Sequence, residues 1–96
     1  MSDLIQLPTT VDGAVRYLRG RLSCSTIAQL RLTPREELGH FHFSLGMWIR
    51  NNLRLWHENT ALVKATGESH PDDASMVIIT ALWDDLQVNK LEAPDR

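Results

Sequence analysis

The chain has 96 residues, 43% of them apolar and 23% charged, and a formal net charge of −2. That length fits one domain with no room for a second, and the composition excludes wholesale disorder. The single cysteine, Cys24, excludes an intramolecular disulfide and any cysteine-based metal site, and reads as a small hydrophobe near a helix start. Charge is unevenly spread: residues 1–54 carry seven Lys/Arg and four Asp/Glu, whereas residues 55–96 carry three and eight. The two halves are expected to attract each other across the fold. A positive patch this small, in a chain of pI ≈ 6.0, argues against a nucleic-acid partner.

In chain order, residues 1–8 read as an extended lead-in ending at Pro8. Met1-Ser2-Asp3-Leu4 shows neither the basic nor the apolar segment of a signal peptide. No apolar run reaches the ~18–20 residues of a membrane helix. A cytoplasmic protein of bacterial style, without membrane contact, is the expectation. Thr9 or Thr10 can cap a first helix, whose apolar stripe is Val11, Ala14, Val15, Leu18 and Leu22. Gly20 is placed to weaken or stop it. Ser23 and Ser25 are candidate caps for a short second helix carrying Ile27, Ala28 and Leu30.

Thr33, followed by Pro34 and three residues on by Glu36, has the form of a capping box with proline at the first helical position. No further proline occurs until Pro71. Leu38, Phe41, Leu45, Trp48, Ile49, Asn52 and Trp56 follow a spacing of three and four. The pattern predicts one long helix over about residues 34–56, with Phe43 and Met47 to one side of its buried stripe. Gly46, in mid-helix, points to the close approach of another backbone. Asn59 or Thr60 can open a short helix ending near Gly67. Pro71-Asp72-Asp73 reads as the first turn of a last helix, about residues 71–87, apolar round most of its circumference and therefore buried. Residues 89–96 read as a frayed tail. The fold class is all-α: a single small domain of four to five helices packed around the long helix and the C-terminal one.

Within the long helix, His42, Gly46 and Arg50 fall four apart and share a face, with Asn51 beside them. The start of the last helix adds His70, Asp72, Asp73 and Ser75. Arg50 is the natural partner of one aspartate through a bidentate ion pair, and Asn51 can satisfy backbone groups of a neighbouring loop. The residues His42-Phe43-Ser44-Leu45-Gly46-Met47-Trp48-Ile49-Arg50-Asn51, then Leu55-Trp56, then His70-Pro71-Asp72-Asp73-Ala74-Ser75, then Ile78-Ile79 and Trp83 resemble the pattern HFxLGxxIRN…LW…HPDDxSxxII…W. That pattern belongs to an uncharacterised family of small bacterial domains of unknown function. The resemblance spans about residues 9–88 and implies no activity. Family members often place glycine before the Leu-Trp pair. Arg54 stands there in this chain, so the long helix either ends near Asn52 or runs further.

The polar cluster, His42, Arg50, Asn51, His70, Asp72, Asp73 and Ser75, has two readings. It can lock two helices together as a structural ion pair. Alternatively, His42 or His70 acts as a base while Arg50 holds an anion, in a small enzyme or ligand-binding domain. No triad spacing and no glycine-rich phosphate loop is present, so no catalytic residue and no cofactor is assigned, and the balance leans away from an enzyme. His40 and His42, two apart on a helix, face nearly opposite ways and cannot chelate together, so no metal is assigned. What remains is a non-enzymatic protein-interaction or regulatory module. Its protein partner is not identifiable from the residues, and a homo-oligomer is open. Trp48, Trp56 and Trp83 are its candidate anchors where exposed, although tryptophans more often serve the core.

Overall fold

The computed structural model describes residues 7–92, with the side chains of 7–88. Among these the chain is all-helical. Five α-helices are α1 (Val11–Arg21), α2 (Cys24–Leu32), α3 (Leu45–Asn52), α4 (Thr60–Ala65) and α5 (Pro71–Glu92), and a 3-10 helix, Arg35–Phe41, lies between α2 and α3. Residues 1–6 of the expected lead-in and 93–96 of the expected tail lie outside the described residues. The helical backbone continues to Glu92, so the last helix is longer than the sequence pattern indicates.

Local capping chemistry accounts for most of the helix starts. Thr10 Oγ1 accepts from Gly13 N at 3.0 Å to open α1, and Ser23 Oγ accepts from Thr26 N at 3.1 Å to open α2. Asn59 opens α4. Its buried amide also donates to the carbonyls of Pro8 and Leu53, at 2.9 and 3.0 Å, tying the lead-in to the end of α3. Gly20 does not end α1, which runs on to Arg21. Cys24 sits at the start of α2 as expected but is exposed, not packed as a hydrophobe.

The single helix expected over residues 34–56 is divided. The 3-10 helix ends at Phe41, residues 42–44 turn, and α3 starts at Leu45. The capping box at Thr33 does not form. Thr33 instead closes α2: its hydroxyl donates to the Gln29 carbonyl at 2.7 Å, and the next element begins with no side-chain cap. The bend lets Leu38 of the 3-10 helix and Leu45 and Ile49 of α3 all reach the core against α5. Trp56 falls beyond the break and is 46% exposed, off the core stripe.

α5 is the central element and packs on α1, α2, α3 and the 3-10 helix. Ala74, Ile78, Ile79, Leu82 and Leu86 are buried along it. It also finishes its neighbours. The Trp83 indole donates to the Thr33 carbonyl at 2.7 Å, and the Gln87 amide donates to the Arg31 carbonyl at 2.9 Å. Both serve carbonyls at the C-terminal end of α2 that no helical N–H can reach. Among the described residues, three ion pairs join an arginine of the basic half to an aspartate of the acidic half: Arg19–Asp85 at 2.7 Å, Arg35–Asp84 at 3.1 Å and Arg50–Asp72 at 3.3 Å.

α3 ends in a turn that explains the position of Arg54. Leu55 N donates to the Arg50 carbonyl at 3.0 Å, the six-to-one bond of a Schellman motif. The residue between Leu53 and Leu55 must then be left-handed, and Arg54 has φ +60°. Glycine adopts that conformation without strain, and any other residue there costs ~1–2 kcal/mol. The exposed Arg54 side chain bonds Glu58 at 2.6 Å. That hydrogen bond, and then the charge, hold the Glu58 carboxyl below its usual range. Arg54→Gly and Arg54→Ala both lose this contact, so their difference reports the backbone alone. In urea unfolding the glycine variant is expected to be more stable by about 1 kcal/mol. Equal stabilities would show that the turn is not left-handed in solution.

Candidate functional site

The polar cluster forms where α3 meets the first turns of α5. His70 is the N-cap of α5: its carbonyl accepts from Ala74 N at 2.9 Å, and its ring Nδ1 accepts from Asp72 N at 3.1 Å. Only the neutral ring with its proton on Nε2 can do this. Pro71 follows at the position where a missing N–H costs nothing. Asp72 and Asp73 then complement the positive end of the helix.

One turn on, Ser75 is fully buried. Its hydroxyl donates to the Asp72 carbonyl at 2.8 Å, which turns its lone pairs toward α3, where Arg50 Nη1 donates to it at 3.0 Å. Arg50 is 3% exposed. Its Nε faces Asp72 Oδ1 at 3.3 Å, within ion-pairing range but without hydrogen-bond alignment. The expected bidentate pair is therefore not made. Asp72 presents one oxygen to Arg50 and the other, Oδ2, lies 3.9 Å from the His70 ring.

Gly46 makes the arrangement possible. A Cβ there would lie 3.0 Å from Arg50 Nη1, 3.3 Å from the Phe41 carbonyl and 3.5 Å from Ser75 Oγ. The close approach expected of this glycine is thus to a buried guanidinium as well as to backbone. Trp56 covers the outer side, with Arg50 Cζ 5.9 Å from its ring centre and the His70 ring edge-on at 6.4 Å. Asn51 Oδ1 accepts from the Trp56 indole at 3.1 Å, so Asn51 holds a side chain of the following loop and not its backbone.

Two expected members stand apart. The turn at 42–44 takes His42 off the face of Gly46 and Arg50. Its ring packs edge-on against Phe43, with centres 4.7 Å apart, and among the described residues it neither hydrogen-bonds nor ion-pairs with the cluster. Asp73 is exposed and makes no ion pair with Arg50. Sequence reasoning missed Trp56 as a cover and the strapping role of Asn59. The Asn51–Trp56 spacing of five gave no helical signal, and the partners of Asn59 are backbone atoms. Among the described residues, no group of three or more His, Cys, Asp or Glu is placed to hold a metal ion, and no helix is long and apolar enough to cross a membrane.

These features define a small all-helical domain in which the polar cluster is anchored by two buried residues, Arg50 and Ser75, and reaches the surface through Asp72, His70 and Asn51. Residues 7–86 match the family model described as a domain of unknown function, DUF6794, and the chain belongs to that family. No curated protein and no solved structure matches it.

Two predictions follow from this geometry. Arg50→Ala is expected to destabilise the domain by about 1–3 kcal/mol, because it removes a buried stem and strands the Ser75 hydroxyl, while the part-exposed Asp72 can be solvated. Arg50→Met, which keeps the apolar stem, should cost less. Gly46→Ala should cost about 1–2 kcal/mol by crowding Arg50, against the ~1 kcal/mol that alanine gains in a helix. In the Arg50→Met background most of that cost should vanish; strict additivity in urea unfolding would contradict the packing described. Separately, His70→Ala should cost about 1 kcal/mol while His70→Ser is nearly neutral. Equal losses in thermal unfolding would remove the capping role.

Proposed function

We propose that this domain is a non-enzymatic protein-interaction or regulatory module whose contact edge is formed by the approach to α3. The observation that carries the reading is the exposure of Phe43, at 79%, and of Met47, one turn further on, at 45%. Trp56, beyond the other end of α3, is also half out. In a thin-cored domain of this size, large apolar side chains are needed inside. Leaving Phe43, Met47 and Trp56 outside, on and at either end of α3, marks a surface that a partner covers.

The burial of Arg50 supports the same side. An anion-binding or catalytic reading needs that guanidinium open to a ligand, whereas it is shut in against Ser75 and Asp72. A bacterial cytoplasm is the setting proposed, in keeping with a lone, exposed cysteine that suits a reducing compartment.

The test uses a photo-reactive residue in place of exposed Ser44, in cells of the source organism. A discrete protein adduct is expected, and Phe43→Ser with Met47→Ser should abolish it. Thermal unfolding of the double variant should stay within about 2 °C of the parent, because both side chains are exposed. An adduct indifferent to both substitutions overturns the reading. So does turnover of a small molecule that Arg50→Met abolishes while the protein stays folded.

A further inference from the structure

α5 has one side that the rest of the domain leaves open. Its inward residues are buried against α1, α2, α3 and the 3-10 helix. On the remaining side Met76, Val77, Thr80 and Ala81 are only partly buried, Met76 and Ala81 packing in part against the core, and they floor an open groove of ≈ 680 Å³. A helix apolar round most of its circumference belongs in an interior, so this side lacks a cover. The polar rim of the groove has one sign. Glu68, Asp73 and Asp84 line it, and no lysine or arginine does. Asp84 is answered by Arg35 at 3.1 Å, whereas Glu68 and Asp73 form no ion pair among the described residues.

We propose that this groove docks a basic amphipathic helix of a partner protein. Its apolar edge lies on Met76, Val77 and Ala81, and its Lys or Arg side chains meet Glu68 and Asp73. Positions 73, 77, 80 and 84 fall on one stripe of α5 about 16 Å long, which matches a partner helix of about three turns. The occupant is chosen by charge: an acidic helix would face uncompensated carboxylates along the whole rim, and a basic one is steered toward them. A second copy of the chain is a poorer fit. Its own arginine-bearing helix, α1, has its apolar stripe of Ala14, Val15 and Leu18 buried in its own core. The groove shares no residue with the Phe43–Met47–Trp56 edge and is a second surface.

The experiment is selection of helical peptides from a displayed library with apolar anchors on one face and random charge on the other, using the whole chain as bait. Amide shift mapping and anisotropy titration of the selected peptides follow. Lys/Arg-rich peptides are expected to be enriched, to shift Met76, Val77 and Ala81, and to bind more weakly as salt rises. Glu68→Lys with Asp73→Lys should weaken them by about ten-fold or more, with helicity unchanged by circular dichroism. Phe43→Ser with Met47→Ser should leave them unaffected, which separates this surface from the other. Enrichment of acidic or neutral peptides, no enrichment, shifts confined elsewhere, or indifference to the charge reversal overturns the proposal. Concentration-dependent dimerisation that the reversal abolishes would assign the groove to a second copy instead.

Discussion

A guanidinium taken out of water must have its charge answered, and Arg50 finds that answer at the crossing of α3 and α5, where Asp72 Oδ1 faces its Nε at 3.3 Å and Ser75 Oγ accepts from its Nη1. The demand propagates. Ser75 accepts from Arg50 because its own proton is committed to the Asp72 carbonyl. Asp72 is in reach because the His70 cap and Pro71 start α5 one residue before it. Glycine is needed at 46 because the guanidinium lies where a Cβ would be. The Arg50 carbonyl then receives Leu55 N, so the same residue sets how α3 ends and where Trp56 is delivered. Side chain, backbone and loop direction are one coupled arrangement.

Features that depend on near neighbours in the chain were legible from the residues. Caps at Thr10, Ser23 and Asn59 form as their types suggest, and so does the proline start at 71. The union of Arg50 with Asp72 and Ser75 was also within reach, since charge complementarity and helix start signals both point to it. The division of residues 34–56 was not. Over two turns, the spacings of three and four that mark an α-helix also suit a 3-10 helix followed by a short α-helix. The capping box at Thr33 loses to the end of the preceding helix: the Thr33 hydroxyl and N–H donate to the Gln29 and Leu30 carbonyls of α2, while Trp83 takes the Thr33 carbonyl from across the domain. Placing His42 with Arg50 was an error inherited from that single helix. The expectation of glycine before the Leu-Trp pair pointed to the right residue. It marks the left-handed residue at which α3 stops.

The thinness of the core explains why so much of the fold is held by polar groups. Among the described residues sixteen apolar residues are buried, and α5 alone contacts four other elements. A small core leaves helix ends close to the surface, where their unpaired carbonyls would be half-desolvated. Trp83, Gln87 and Asn59 answer them from other parts of the chain. Each such bond is a modest net gain of about 1 kcal/mol, but leaving a carbonyl unanswered costs more. The division of charge works in the same direction, bringing Arg19 of α1, Arg35 of the 3-10 helix and Arg50 of α3 onto aspartates of α5. Exposed pairs among these contribute little to stability; their role is to disfavour other packings.

The pattern that identifies the family is therefore mostly a description of this construction. His70 caps, Pro71 starts, Asp72 and Ser75 receive Arg50, Gly46 makes room and Asn51 holds Trp56. Arg50 and Ser75 are spent on each other inside the fold, and Asp72 meets them from its surface. Chemistry that distinguishes this domain from a bare helical scaffold has to be sought in what the scaffold presents outward. There the notable features are apolar: Phe43 and Met47 at one edge, and the half-covered side of α5 with its acidic rim. Apolar surface bordered by charge favours recognition of another chain over transformation of a small molecule. Phe43, Trp56 and Asp73 belong to that pattern and also lie on the proposed contact surfaces, so motif and proposed surface overlap in part, and matching the motif does not name a partner.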